Sequence, residues 1–139
     1  MRADYYKKIE KYLYHLYEPE VLVQDVRDYY ISRMNVSKTT WLKEQNSMEN
    51  QVVKMMDSKQ LKEIKRWLVF LKETLAFYKV EKPRFCGFIR LKYLRKRTDE
   101  DIQFVMKLNK KQFKELKNEV IGSIFIRAIL NGIIKERQV

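Results

Sequence analysis

A chain of 139 residues with 45% hydrophobic content suits one domain with a buried core and is too apolar to be disordered. Its 30 Lys and Arg against 18 Asp and Glu give a formal net charge of +12, which points to a polyanionic partner or to a solvated basic surface. A single Cys excludes a disulfide framework and a Cys-rich zinc site, and no apolar run reaches the about 18 residues a membrane span needs.

Three Gly and two Pro leave few breakers, so the expected fold is all-α. "MRADYYKKIEKYLYHLY" has no apolar signal core, and a cytoplasmic protein is expected. Tyr6, Ile9, Leu13, Leu16 and Tyr17 fall at helical spacing. Pro19 then suits the first turn of a second helix with its stripe at Leu22, Val26, Tyr29, Tyr30 and Met34. Residues 1–34 therefore read as an N-terminal helical hairpin. Seven of the nine tyrosines lie there, a pattern of core or dimer face more than of base stacking. His15, the one histidine, reads as a half-buried core residue.

"NVSKTTWLKEQNS", residues 35–47, is polar and without period, and reads as a linker from which Trp41 and Leu42 dock on the core. Over 48–82 a helical period returns through Val52, Ile64, Trp67, Leu68, Leu71, Leu75 and Tyr78. This predicts a long central helix with a break near Asp57 and Ser58. Pro83 opens the next helix, whose apolar face is Phe85, Phe88, Ile89 and Tyr93.

The charge is uneven. Residues 1–47 carry 8 Lys/Arg against 7 Asp/Glu, residues 48–82 carry 8 against 5, and residues 83–139 carry 14 against 6, a net of +8. Within that basic third, Thr98 with Asp101 makes a capping-box pattern, and Asp99, Glu100 and Asp101 suit the first turn of a helix. Ile102, Val105 and Met106 would bury it. A tight turn follows, with Lys107 where glycine is common, and Asn109 is a good N-cap for a second helix. Phe113, Leu116, Val120 and Ile124 face inward on that helix. Its other face displays Lys110, Lys111, Gln112, Lys114, Glu115, Lys117 and Asn118. Two short helices, a tight turn and a basic, amide-rich outer face describe a helix-turn-helix. The lysines would neutralise phosphates, as would Arg95, Lys96 and Arg97 ahead of the first helix, while Gln112 and Asn118 can read adenine. A helical hairpin with a solvated lysine face is the alternative. "VIGSIFIRAILNGII", residues 120–134, covers more than one helix face. It is expected to be buried by the long helix or, in a homodimer, by a second copy.

"LKYLRKRTDEDIQFVMKLNKKQFKELKNEVI", residues 91–121, resembles region 4 of bacterial sigma factors, with Leu91–Lys92–Tyr93, Thr98, Asp101–Ile102 and Phe113 at matching positions. The order of helical region, polar linker, long helix and sigma-region-4-like domain is similar to the RinA/ArpU-type late-gene regulators of temperate phages. The resemblance implies a phage- or prophage-encoded activator of packaging and lysis genes in a bacterial host cell. It also implies promoter DNA and host RNA polymerase as partners. The chain departs from that pattern in lacking the turn glycine and in its apolar extension after the second helix.

Two function classes follow from the residues: a sequence-specific DNA-binding transcription regulator, or a non-enzymatic protein that binds an acidic protein partner through the same face. A basic helix suits RNA as well. One His, one Cys and no Gly-rich phosphate loop supply no catalytic set, so no enzyme, cofactor or metal is expected.

Overall fold

The computed structural model describes residues 3–33 and 59–135. Among them every regular element is helical, and no helix is long and apolar enough to cross a membrane. The helices are α1 (Ala3–Tyr14), α2 (Pro19–Arg33), α3 (Gln60–Glu81), α4 (Pro83–Ile89), α5 (Asp99–Met106) and α6 (Lys110–Leu130). A π-helical turn, Arg90–Leu94, continues α4. The expected linker over 35–47, the docking of Trp41 and Leu42, the start of the long helix and its break near Asp57 and Ser58 lie outside the described residues. So do the side chains of Tyr29, Tyr30 and Met34.

The chain divides into two compact units, residues 18–66 and residues 1–17 with 67–139. The two helices expected as a hairpin over 1–34 thus belong to different units, and each is taken by itself. In the first unit α2 opens on Pro19, whose missing N–H costs nothing at a helix start. Gln24 Nε2 donates to Asp28 Oδ1 one turn on, at 2.8 Å.

The second unit is built around α6. Its residues Phe113, Leu116, Val120, Ile121, Ile124, Phe125 and Ala128 are buried, one stripe running the length of the helix. α1 lies along α6 and against the π-helical turn. Tyr5 meets Phe125 at 5.7 Å, and Ile9 and Leu13 are wholly buried. The Trp67 end of α3 stacks on Tyr12 at 5.3 Å, with the rings 6° from parallel. Further along α3, the Tyr78 and Ser123 hydroxyls share a hydrogen bond of 2.6 Å, and the Arg127 guanidinium lies 4.2 Å from the Phe77 ring centroid. Each large apolar side chain so enclosed contributes about 1.5–3 kcal/mol. The apolar segment 120–134 is therefore covered on its inner side by α1 and α3 of the same chain, while Ile126 and Leu130 remain 58% and 80% exposed.

Local chemistry sets the ends of α5 and α6. The Thr98 hydroxyl accepts the Asp101 N–H at 3.2 Å. At the other end of α5, Lys107 takes the left-handed conformation, φ 56°, ψ 52°. Leu108 N–H then reaches back to the Gln103 carbonyl at 2.8 Å and Lys107 N–H to that of Phe104 at 3.4 Å. This is the Schellman pattern, and it reverses the chain within three residues. α6 ends in the same pattern, but with Gly132 (φ 72°) in the left-handed position. A lysine there pays for its Cβ. Lys107→Gly should therefore raise stability by about 0.5–1 kcal/mol, since the steric relief exceeds the entropy added to the unfolded chain. Urea unfolding checks this: the midpoint should rise at unchanged slope.

Candidate nucleic-acid interface

α5 begins with Asp99, Glu100 and Asp101 in its first turn, where the N–H groups and the helix dipole favour negative charge. Asp99 has a second role. It accepts the Lys92 ammonium at 3.0 Å, with the lysine side chain 9% exposed and the aspartate 52%. Lys92 also lies over the Phe113 ring, 5.6 Å from its centroid. Burial alone would lower the lysine pKa, but hydrogen bonds to Asp99 and Tyr14 outweigh it and the net shift is upward. The cation is thus held charged inside the unit, tying the π-helical turn to the start of α5.

α6 starts with a reciprocal capping box. Asn109 Oδ1 accepts the Gln112 N–H at 2.8 Å, and Gln112 Oε1 accepts the Asn109 N–H at 3.0 Å. No acid occupies the first turn of α6. Instead Lys110 and Lys111 are exposed there, with Lys114 and Glu115 exposed in the next turn. Lys110 and Lys111 each face a dipole of their own sign, an arrangement costing roughly 0.3–1 kcal/mol apiece. Lys107 is exposed in the turn before them.

The remaining candidates divide. Lys117 is drawn toward α1, where Glu10 Oε2 lies 3.6 Å from its ammonium and the Tyr6 ring centroid 5.6 Å. Asn118 Oδ1 accepts the Tyr6 hydroxyl at 3.0 Å. Both side chains therefore take part in the α1–α6 contact. Arg95, Lys96 and Arg97 are exposed in the turn ahead of α5. Arg95, Arg97 and Asp101 line a cleft of about 320 Å³ with Leu91, Ile102, Phe104 and Val105.

Glu10 also accepts the Tyr93 hydroxyl at 2.7 Å. Tyr93 is wholly buried and meets the edge of Tyr14 at 4.7 Å. Burial, then the Glu10 hydrogen bond and charge, push the Tyr93 phenol far up. Burial and the Glu10 charge raise Tyr6 to about 12. Burial raises Tyr78 against the opposing pull of Ser123 and Arg127.

Composition gave no hint of Glu10 or Tyr6, which come from a segment of near-zero net charge. Lys92 carried a signal: it lies three residues after Ile89 on the Phe85–Phe88–Ile89 face, where a lysine must be buried with a partner. Among the described residues no group of three or more His, Cys, Asp or Glu is placed to hold a metal ion. No protein-family model, curated protein or solved structure matches the chain.

Tyr6, Tyr78, Tyr93 and Lys92 all have folded-state pKa values above their ordinary ones. The native state then keeps its protons longer than the unfolded chain. Stability from these groups is whole below about pH 10 and is lost as pH rises through the folded values. In an alkaline titration the last part of the tyrosinate absorbance should rise together with loss of helical circular dichroism. Complete tyrosine ionisation with the helices intact would contradict these placements.

Proposed function

We propose that the protein is a sequence-specific DNA-binding transcription regulator that presents the N-terminal half of α6 to the major groove. The observation that carries this reading is the pairing of Lys110 and Lys111 at the positive end of a helix, with no acid in its first turn and Lys114 exposed one turn on. That arrangement costs the folded protein energy, and phosphates would offset it. The preceding helix, the tight reversal at Lys107 and the capped start of α6 form the frame such a helix needs. Lys107, Arg95, Lys96 and Arg97 are assigned to the DNA backbone. Glu115 can accept from a cytosine amine, and Gln112 can turn its amide to adenine, though its oxygen already serves the cap. Lys117 and Asn118 hold α1 and are secondary candidates.

The resemblance to sigma region 4 and to RinA/ArpU-type regulators extends this reading to a phage- or prophage-encoded activator of late genes that works with host RNA polymerase. The second reading, a docking module for an acidic protein, draws on the same lysines. It is favoured by Phe104, an exposed aromatic (86%) beside Arg95 and Arg97.

Binding to duplex DNA should weaken steeply with salt, with a log–log slope of at least roughly −3, because each phosphate neutralised contributes about −0.9. Lys114→Ala should weaken binding to every sequence and flatten that slope by about 1. Gln112→Ala should lose on the order of 1–3 kcal/mol at the preferred site only, plus about 1 kcal/mol of folding stability from the broken cap. A flat salt response, with retention by an acidic protein alone, would replace the first reading by the second.

A homodimer is the remaining proposal. Ile126 and Leu130 stand one turn apart on the outside of α6, and Val80 on α3 is 76% exposed. Sedimentation near micromolar concentration should give twice the 17.1 kDa chain mass, and Ile126→Glu with Leu130→Glu should return it to one chain. Both residues are on the surface, so the variant should fold. A wild type that sediments at one chain mass would contradict the dimer.

A further inference from the structure

The geometry points to a second phosphate-binding site on this protein: a basic cleft between α1 and the 95–97 turn that takes the backbone of duplex DNA flanking the stretch read by α6. The inference rests on the DNA-binding reading and adds to it a helix that its charge average would exclude.

The cleft, about 500 Å³, is lined by Lys7, Glu10, Lys11, Tyr14, His15 and Lys96. Lys7 and Lys11 stand one turn apart on α1, and both are exposed, as is Lys96 opposite them. Three lysines therefore meet one carboxylate. That carboxylate is engaged inward, with Glu10 Oε2 on the Tyr93 hydroxyl at 2.7 Å and near Lys117 at 3.6 Å. Among the described residues that line the cleft, cations outnumber carboxylates.

Its walls are fixed. Tyr14 packs edge-on against buried Tyr93. Lys96 sits in the left-handed region at φ 53°, in a turn pinned by Arg95 N–H on the Arg90 carbonyl at 2.8 Å and Arg97 N–H on that of Leu91 at 2.9 Å.

The position of the cleft favours a polyanion over a small one. Exposed ammonium groups cannot desolvate a single small anion and would hold it weakly. A polymer that docks several phosphates at once gains by releasing its counterions. Lys110, Lys114 and Lys117 share one stripe of α6 by their spacing, and Lys117 meets Glu10. Through Lys117 the α6 stripe and the cleft share Glu10 as a neighbour, and one backbone engaging both is the arrangement this proposal assigns.

The test is the salt dependence of binding by the full chain to a duplex of random sequence and to its selected site. Lys7→Ala with Lys11→Ala should flatten the log–log slope by about 1.8 on both duplexes, two contacts at about 0.9 each, and leave the ratio between them unchanged. Lys7→Gln with Lys11→Gln keeps side-chain length without charge and should give the same fall, so lost packing of α1 cannot produce it. An unchanged slope in both variants, beside a reduced one in Lys110→Ala with Lys114→Ala, would overturn the cleft and leave the DNA-binding reading intact. A flat response in the unaltered protein would overturn both. A reduced slope on single-stranded RNA of equal length but not on duplex DNA would overturn the duplex assignment.

Discussion

The Glu10 carboxylate is where three parts of the unit meet. One oxygen accepts the Tyr93 hydroxyl from the π-helical turn and lies near the Lys117 ammonium of α6, while Glu10 itself belongs to α1. Tyr93 is enclosed, so its hydroxyl has to find a partner inside the protein. Leaving it without one would cost about 1–3 kcal/mol. That requirement fixes how α1 is rotated and how far along α6 it sits. Tyr6, one turn earlier on α1, then reaches Asn118, and Tyr5 reaches Phe125. A polar contact of modest net energy thereby sets the register of an apolar interface that supplies most of the stability.

The same register gives the two ends of α6 different surroundings. Along its C-terminal two-thirds the inner face is core, closed by α1 and by Tyr78 and Phe77 of α3. Its first turn and a half buries Phe113 on one side and exposes lysines on the other, capped by its own Asn109 and Gln112. A helix end that needs no neighbour to satisfy its N–H groups can face a ligand, and one anchored over several further turns can hold its side chains in place. The Lys92–Asp99 pair does for α5 what Glu10 does for α1, fixing it against the turn that precedes it.

Much of this could be read along the chain. The helical class followed from the scarcity of Gly and Pro, and the starts of α5 and α6 from Thr98, the three acids and Asn109, since caps are local chemistry that a single sequence displays. The inward stripe Phe113, Leu116, Val120 and Ile124 was legible from spacing alone. What was hidden is what depends on contacts distant in sequence. Asn118 and Lys117 look like surface residues until α1, more than 100 residues earlier, is laid against them. Gln112 looks like a base reader because its part in the cap depends on a side-chain rotamer. Averaging charge over 1–47 hid the Lys7 and Lys11 edge of α1, because Glu10 cancels a lysine in the sum while turning inward in space. The continuity of α6 from Lys110 to Leu130 was also concealed, since residues 120–134 read as an extension after the second helix, and one buried stripe runs through both.

If one end of α6 meets DNA while the rest of the helix, with α1, holds it in place, amide chemical-shift mapping during titration with duplex DNA should show it. Perturbations should concentrate at Lys107 and Lys110–Glu115, with a second group at Lys7, Lys11 and Lys96, and small changes along the buried stripe from Val120 to Ala128. Perturbations centred instead on the outer face of α3, from Val69 to Val80, or no change at all with excess DNA, would contradict it.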